Sequence, residues 1–204
     1  MNSPRTLTVL VLLACAALLG ACGPKRTELS GLASAQAPNW RAGDYWEFTS
    51  RTRSPFAMAQ RMEVVSVGQE IVLRGDGDAG KVVRLNPDLS VRESKGGVLS
   101  YSVASGVDAY LVFPLEVGAA KTFTQSANVP KGTQNYTNVV TVEAAEEITV
   151  PAGTFKTFRI RVDKRNDTGW SGSYTMWYAP EVGYFVRVVD THRNDAKLVK
   201  FGKR

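Results

Sequence analysis

The sequence predicts an all-β fold, in which about ten to twelve strands form a single curved antiparallel sheet or an open β-barrel. Apolar and polar residues alternate with a period of two, most clearly where Phe158, Ile160 and Val162 fall on one face of a run. The runs are rich in Val, Ile, Thr, Phe, Tyr and Trp, which favour strands. Turn-forming residues such as Pro151-Ala152-Gly153 separate the runs.

An export signal opens the chain. Arg5 is the only charged residue before an apolar run from Leu7 to Leu19, and small residues follow up to Cys22. A basic start, a short apolar run and small residues before a cleavage point are typical of signal peptides. The run is too short for a membrane-spanning helix, which needs about 20 apolar residues.

Because a cysteine stands at the first position after this signal, the segment resembles the signal of bacterial lipoproteins. The resemblance implies that cleavage occurs before Cys22, that its thiol carries a diacylglyceryl group and that the new amine receives an acyl chain such as palmitate. We therefore predict an N-terminal signal helix within the signal peptide, residues 1–21. A flexible tether with the lipidated Cys22 follows over residues 22–39, and an antiparallel β domain over residues 40–204.

The bulk composition limits the possible functions. Removing the signal leaves 204 − 21 = 183 residues, enough for one domain with a sizeable core. Since Cys15 lies in the signal, no cysteine besides Cys22 remains for a disulfide, a Cys-based metal site or a Cys nucleophile. With a single histidine, His192, we expect no metal and no cofactor, and we place His192 in an exposed turn.

The chain is moderately basic. Its 25 Lys+Arg and 19 Asp+Glu give +6, and without Arg5 of the signal the balance is 24 − 19 = +5. The basic residues are spread along the predicted strands, and only the last eight residues are locally dense in them, at Lys197, Lys200, Lys203 and Arg204. We expect a solvated surface near an anionic membrane and no nucleic-acid binding.

The predicted strands follow in chain order, each bounded by turn-forming residues. They are Tyr45 to Thr49, Arg61 to Val67, Ile71 to Leu73, Val82 to Leu85, Leu89 to Arg92, Val98 to Val103, Ala109 to Phe113, Lys121 to Gln125, Tyr136 to Glu143, Glu147 to Val150, Phe155 to Val162, Tyr174 to Tyr178, Tyr184 to Val189 and Lys197 to Phe201. Some runs, such as Val64-Val65, carry apolar residues on both faces, as expected where a sheet curls and its second face is partly covered.

Three motifs punctuate the second half of the chain: Pro114-Leu115-Glu116-Val117-Gly118, Pro151-Ala152-Gly153-Thr154-Phe155 and Tyr178-Ala179-Pro180-Glu181-Val182-Gly183. Their order over residues 110–190 resembles uncharacterised exported β-rich bacterial proteins of the TapB-like type. The resemblance implies strands joined by a Pro-Ala-Gly-Thr turn and a Tyr-Ala-Pro turn, and it transfers no catalytic residue. The physical reading agrees, because Pro fixes φ and Gly allows a positive φ in such turns.

The aromatic residues supply the candidate site. On one predicted strand Tyr174, Met176 and Tyr178 share a face and Trp177 lies on the other, so one face would pack in the core and the other against a concavity or loop. We take Trp46, Trp177 and Tyr178 as the candidate lining of a groove for an acyl chain or another hydrophobic ligand. Plain core packing of the same residues is the alternative.

These observations predict a non-enzymatic envelope lipoprotein that binds a hydrophobic ligand in its concave face. By analogy with the enterobacterial sorting rule, Gly23 after the lipidated cysteine favours the outer membrane, facing the periplasm. A structural or assembly accessory that binds an envelope protein is one alternative. A carboxylate-based hydrolase is another, and it would need acidic residues such as Glu143, Glu147 and Asp163 to converge in a groove.

Overall fold

The computed structural model describes residues 32–76, 80–96 and 100–204, and within them twelve strands form a closed antiparallel barrel. The all-β prediction is confirmed, and the predicted curved sheet closes on itself because β1 pairs with β12. The signal helix and Cys22 lie outside the described residues. The strands are β1 (Tyr45–Phe48), β2 (Arg61–Val67), β3 (Ile71–Gly75), β4 (Val82–Leu85), β5 (Val91–Lys95), β6 (Tyr101–Gly106), β7 (Ala120–Val129), β8 (Gly132–Val150), β9 (Gly153–Asn166), β10 (Ser171–Ala179), β11 (Tyr184–Val189) and β12 (Asp195–Gly202).

The topology gives the barrel two distinct ends. Each strand is antiparallel to its sequence neighbours, so successive connections alternate between the ends. The β7–β8 and β9–β10 turns lie at the same end, which we call the mouth end. The segment before β1 and the residues after β12 lie at the opposite end, the terminal end, where Tyr45 pairs with Gly202.

The period-two pattern separates a dry interior from a wet exterior. Phe158, Ile160 and Val162 on β9 are fully buried, as their alternation predicts. Between them, Arg159 and Arg161 point outward and form ion pairs with carboxylates on the outer surface. Charged side chains on the outer surface keep their hydration, while the apolar phase of each strand packs inside.

Much of the interior is filled by the connection between β1 and β2. A short 3-10 helix, Pro55–Ala57, carries Phe56 inward, where it is fully buried. The Phe56 ring packs edge-on against Tyr110, Tyr184 and Phe185 at centroid distances of 5.6, 6.2 and 5.3 Å. The Tyr184 hydroxyl also donates a hydrogen bond of 2.8 Å to the Phe56 carbonyl, which fixes this plug in place.

The predicted strand over Ala109 to Phe113 is wrong. The segment is irregular, and two consecutive residues within it, Tyr110 and Leu111, are both buried, with exposed fractions of 2% and 6%. A half-wet strand would point one of them outward, whereas this segment uses both to fill the barrel interior. The opposite difference occurs on β8, where two predicted strands form one continuous strand with a register shift between Val142 and Ala144.

The terminal end is closed by the start of the described chain. Ala35 forms an isolated bridge with Leu115, and Trp40 donates from its indole to the Gly183 carbonyl at 2.8 Å. The predicted turn before Tyr184 is present, with Gly183 at a φ of +71°. Packing against the barrel therefore begins by residue 35. The described residues include no helix with the length and hydrophobicity that a membrane crossing requires.

Candidate functional site: the mouth cavity

A cavity of about 450 Å³ lies at the mouth end of the barrel. Turn residues Pro130, Lys131 and Thr168 contribute to its rim, which places the opening among the mouth-end connections. Five aromatic side chains line it: Tyr101, Tyr110, Tyr136, Trp170 and Tyr174. At about 30 Å³ per water molecule, the volume corresponds to about 15 waters, so it suits a ligand with one ring rather than a long chain.

A buried ion pair lies within this aromatic region. The Lys164 ammonium is 2.9 Å from Asp108 Oδ1, and the two side chains are 7% and 0% exposed. Asp108 also accepts hydrogen bonds from Asn138 Nδ2 and the Tyr101 hydroxyl, both at 2.6 Å. Three donors therefore satisfy a carboxylate that has no access to water, which is the condition for keeping a charge in a barrel interior.

Tyrosine rings surround the Lys164 ammonium. Its Nζ atom lies 5.4, 5.5 and 5.0 Å from the ring centroids of Tyr101, Tyr110 and Tyr136. These distances fall within the range of cation–π attraction. Because the protein's own ammonium occupies the cage, a cationic ligand gains nothing there, and Lys164 can act as a donor toward an acceptor in the cavity.

The cavity hydroxyls are held in their protonated form. Burial raises the pKa of Tyr101 and of Tyr110 well above the ordinary value, and the charge of Asp108 raises both further. Burial also raises the pKa of Tyr136 and of Tyr174. These tyrosines therefore remain hydrogen-bond donors at any physiological pH.

Two buried amide side chains on β7 and β8 have polar atoms without partners among the described residues, and one of them, Gln125, lines the cavity. Gln125 is 4% exposed, and its Oε1 and Nε2 both lack hydrogen-bond partners within the described part of the chain. Asn138 Oδ1, in a side chain that is 1% exposed and behind the cavity lining, is also unpartnered in that part of the chain. Pairing of Gln125 with Tyr136 and of Phe123 with Asn138 makes the two amides diagonal neighbours on the inward face. Each unpaired buried polar group lowers the stability of the fold by about 1–3 kcal/mol, so the Gln125 amide in the cavity lining requires a polar partner.

The strand phase explains how these polar groups come to be inside. Lys164 continues the inward series of Phe158, Ile160 and Val162 on β9. Gln125 holds the inward phase of β7, two residues before the buried Ala127. Neither residue was among the site residues predicted from the sequence, although the sequence carries a signal for both: a polar residue in the buried phase of a strand must be paired, hydrated or bound to a ligand.

The three residues proposed as a groove do not come together. Trp46 is 1% exposed and its ring stacks on Tyr184 at 3.9 Å, and Tyr178 is 1% exposed among core aromatics. Trp177 points to the outer side of the sheet but is only 8% exposed, since its indole donates to Glu146 Oε1 at 2.7 Å and the Arg187 guanidinium covers its ring at 4.7 Å. Trp46 and Tyr178 thus pack the core, while Trp177 belongs to an outer polar network.

The other candidates lie away from the cavity. His192 is exposed in the turn between β11 and β12, with a ring nitrogen 2.9 Å from Arg53. Glu143 pairs with Arg159 and Asp163 with Arg161 on the outer surface. Among residues 32–76, 80–96 and 100–204, no group of three His, Cys, Asp or Glu could hold a metal ion.

Residues 116–199 match the protein family described as DUF3108-like. The matched segment is less than half of the chain. The match overlaps the stretch whose motifs resemble the TapB-like group and gives it a different description. It includes Gln125, Tyr136 and Lys164 of the cavity, but not Tyr101 or Asp108. No curated protein matches the chain.

One similar solved structure is the crystal structure of a "putative lipoprotein" from Parabacteroides distasonis. The similarity covers 82% of this chain and 99% of that chain, at 13% sequence identity and a TM-score of 0.45. We draw no conclusion about function or fold from this sequence identity and TM-score.

Proposed function

We propose that this protein is a lipid-anchored envelope protein that binds a small ligand in its mouth cavity and catalyses no reaction. One observation carries the binding role: a cavity of about 450 Å³ combines aromatic walls with the buried amide of Gln125, which has no partner in the part of the chain that the structure describes. Concave sites with largely apolar walls and few placed polar groups are typical ligand sites, and barrel mouths commonly provide them. The anchor is Cys22, and Gly23 after it favours the outer membrane, facing the periplasm.

The packing favours a compact ligand over an acyl chain. An extended chain would need the space along the barrel axis, where Trp46, Phe56 and Tyr184 are nearly or fully buried against one another. The remaining space at the mouth is short and has polar groups along its wall. The hydrophobic ligand expected from the sequence is therefore replaced in this proposal by one with an apolar face and polar edges.

The placement of the termini supports capture from the aqueous side. Leu32 follows Cys22 by 32 − 22 = 10 residues, which span about 35 Å at most. The chain enters the barrel at the terminal end, so the anchor attaches to the end opposite the cavity. This arrangement directs the mouth toward the envelope space more readily than toward the bilayer.

The hydrolase alternative has less support. Among the described residues that line the cavity none is acidic, and Asp108 beside it already accepts from three donors. A pair of carboxylates flanking a bound substrate, as hydrolysis of this kind needs, is not assembled there. The outer carboxylates Glu143 and Asp163 are each engaged with an arginine.

Filling the cavity is expected to abolish ligand-induced stabilisation. Val129 lines the cavity, whereas Val139 lies on the outer face of β8 and is 37% exposed, so Val129→Trp and Val139→Trp form a matched pair. With a small-molecule extract of the cell envelope, we expect the melting temperature to rise for wild type and Val139→Trp but not for Val129→Trp, because ligand binding stabilises by mass action. Equal shifts in all three proteins would contradict a site in the mouth cavity.

A further inference from the structure

Resting on the proposed mouth-cavity function, we propose that the ligand is a sugar and that Gln125 selects it by pairing with two adjacent hydroxyl groups of a pyranose ring. The assignment follows from the hydrogen-bonding demand of the wall, the shape of the aromatic lining and the charge around the cavity.

The amide of Gln125 lacks hydrogen-bond partners among the described residues. Gln125, which lines the cavity, presents an acceptor and a donor side by side, both buried without partners among the described residues. The Gln125 amide therefore needs at least one donor and one acceptor from the occupant of the cavity. A hydroxyl group both donates and accepts, so two adjacent hydroxyls meet a primary amide on both of its atoms.

Aromatic rings form much of the rest of the cavity lining. Tyr110 and Tyr174 lie edge to face at 5.7 Å, and Tyr136 and Trp170 do so at 6.4 Å near the rim. Trp170 is 38% exposed, unusual for so large an apolar side chain. Such rings offer flat apolar surfaces to the C–H face of a pyranose, whose hydroxyls then point sideways toward the polar wall.

The charged side chains in the described cavity lining are basic. The ammonium of Lys164 occupies the tyrosine cage, and Lys131 stands at the rim, while no described lining residue is acidic. A cationic ligand is therefore disfavoured, and a neutral or acidic sugar is accepted. The cavity, with room for about 15 water molecules, also fits one hexose ring of about 12 non-hydrogen atoms and leaves the next residue of a chain outside the rim.

The test uses saturation-transfer NMR and titrations with methyl glycosides of glucose, galactose and mannose, with N-acetylglucosamine, and with adenosine as a planar heterocyclic competitor. We expect at least one saccharide to bind wild type, with Gln125→Leu weakening it by about tenfold or more. Thr124→Val, the outward neighbour on β7, is the matched control and is expected to bind as wild type does.

A second readout separates recognition from structure. Because the Gln125 amide has no partner among the described residues, Gln125→Leu is expected to keep or raise the melting temperature while it weakens binding. Saccharide binding that survives Gln125→Leu, or binding of adenosine but of no sugar, would overturn the inference. Adenosine binding blocked by Val129→Trp would still leave the mouth cavity as the ligand site, so failure of this inference and of the proposed function are distinguishable.

Discussion

Replacing Lys164 with methionine is expected to lower the free energy of unfolding by about 3–5 kcal/mol. The substitution keeps most of the side-chain volume but leaves the carboxylate of Asp108, which is 0% exposed, without its cationic partner. Tyr101 and Asn138 would still donate to it, yet neither carries a charge. Urea unfolding with linear extrapolation measures the loss.

Two further variants decide what causes that loss. Adding Asp108→Asn to Lys164→Met removes the uncompensated charge, so the double variant is expected to recover part of the lost stability. Arg161→Met breaks the exposed pair with Asp163, whose side chains are 45% and 50% exposed, and is expected to cost less than about 1 kcal/mol. If Lys164→Met cost no more than Arg161→Met, the buried charge pair described for the barrel would be contradicted.

Replacing Cys22 with serine is expected to move the protein from the membrane fraction to the soluble fraction. The lipid that we propose on Cys22 is thioether-linked and cannot form on serine, and each buried CH₂ of such an anchor contributes about 0.8 kcal/mol to membrane attachment. Fractionation of cells labelled with radioactive palmitate measures both the location and the modification.

Cys15→Ser is the matched control, because it removes the other cysteine of the chain and leaves Cys22 in place. It is expected to remain labelled and membrane-bound. Retention of Cys22→Ser in the membrane fraction after a high-salt wash would show that something other than a lipid on Cys22 holds the protein there.

Local sequence pattern was sufficient to predict the strands and their inward phase. Phe158, Ile160 and Val162 are buried as their alternation indicates, and the turn at Pro151–Gly153 falls where its residues place it. The pattern was insufficient for Ala109 to Phe113, because a run of apolar residues reads the same whether it forms a strand or packs irregularly inside a barrel.

The cavity could not be predicted from local sequence pattern, because its shape depends on contacts between residues that are far apart in the chain. Closure of the barrel depends on pairing between Tyr45 and Gly202, which lie near opposite ends of the domain's sequence. How much of the interior stays open then depends on Phe56, which a connection carries inside. Large aromatic side chains were an unreliable guide, since Trp46 fills the core. Polar residues in an inward phase, such as Gln125 and Lys164, were the better indicator of a site.

Native mass spectrometry of the Cys22→Ser protein, isolated gently from the periplasm, is the most direct test for a ligand in the mouth cavity. We expect a small-molecule adduct on the Cys22→Ser protein and on its Val139→Trp variant, and no adduct on its Val129→Trp variant, in which the indole fills the cavity. An adduct of the same mass and occupancy on Val129→Trp would contradict a ligand site at the barrel mouth.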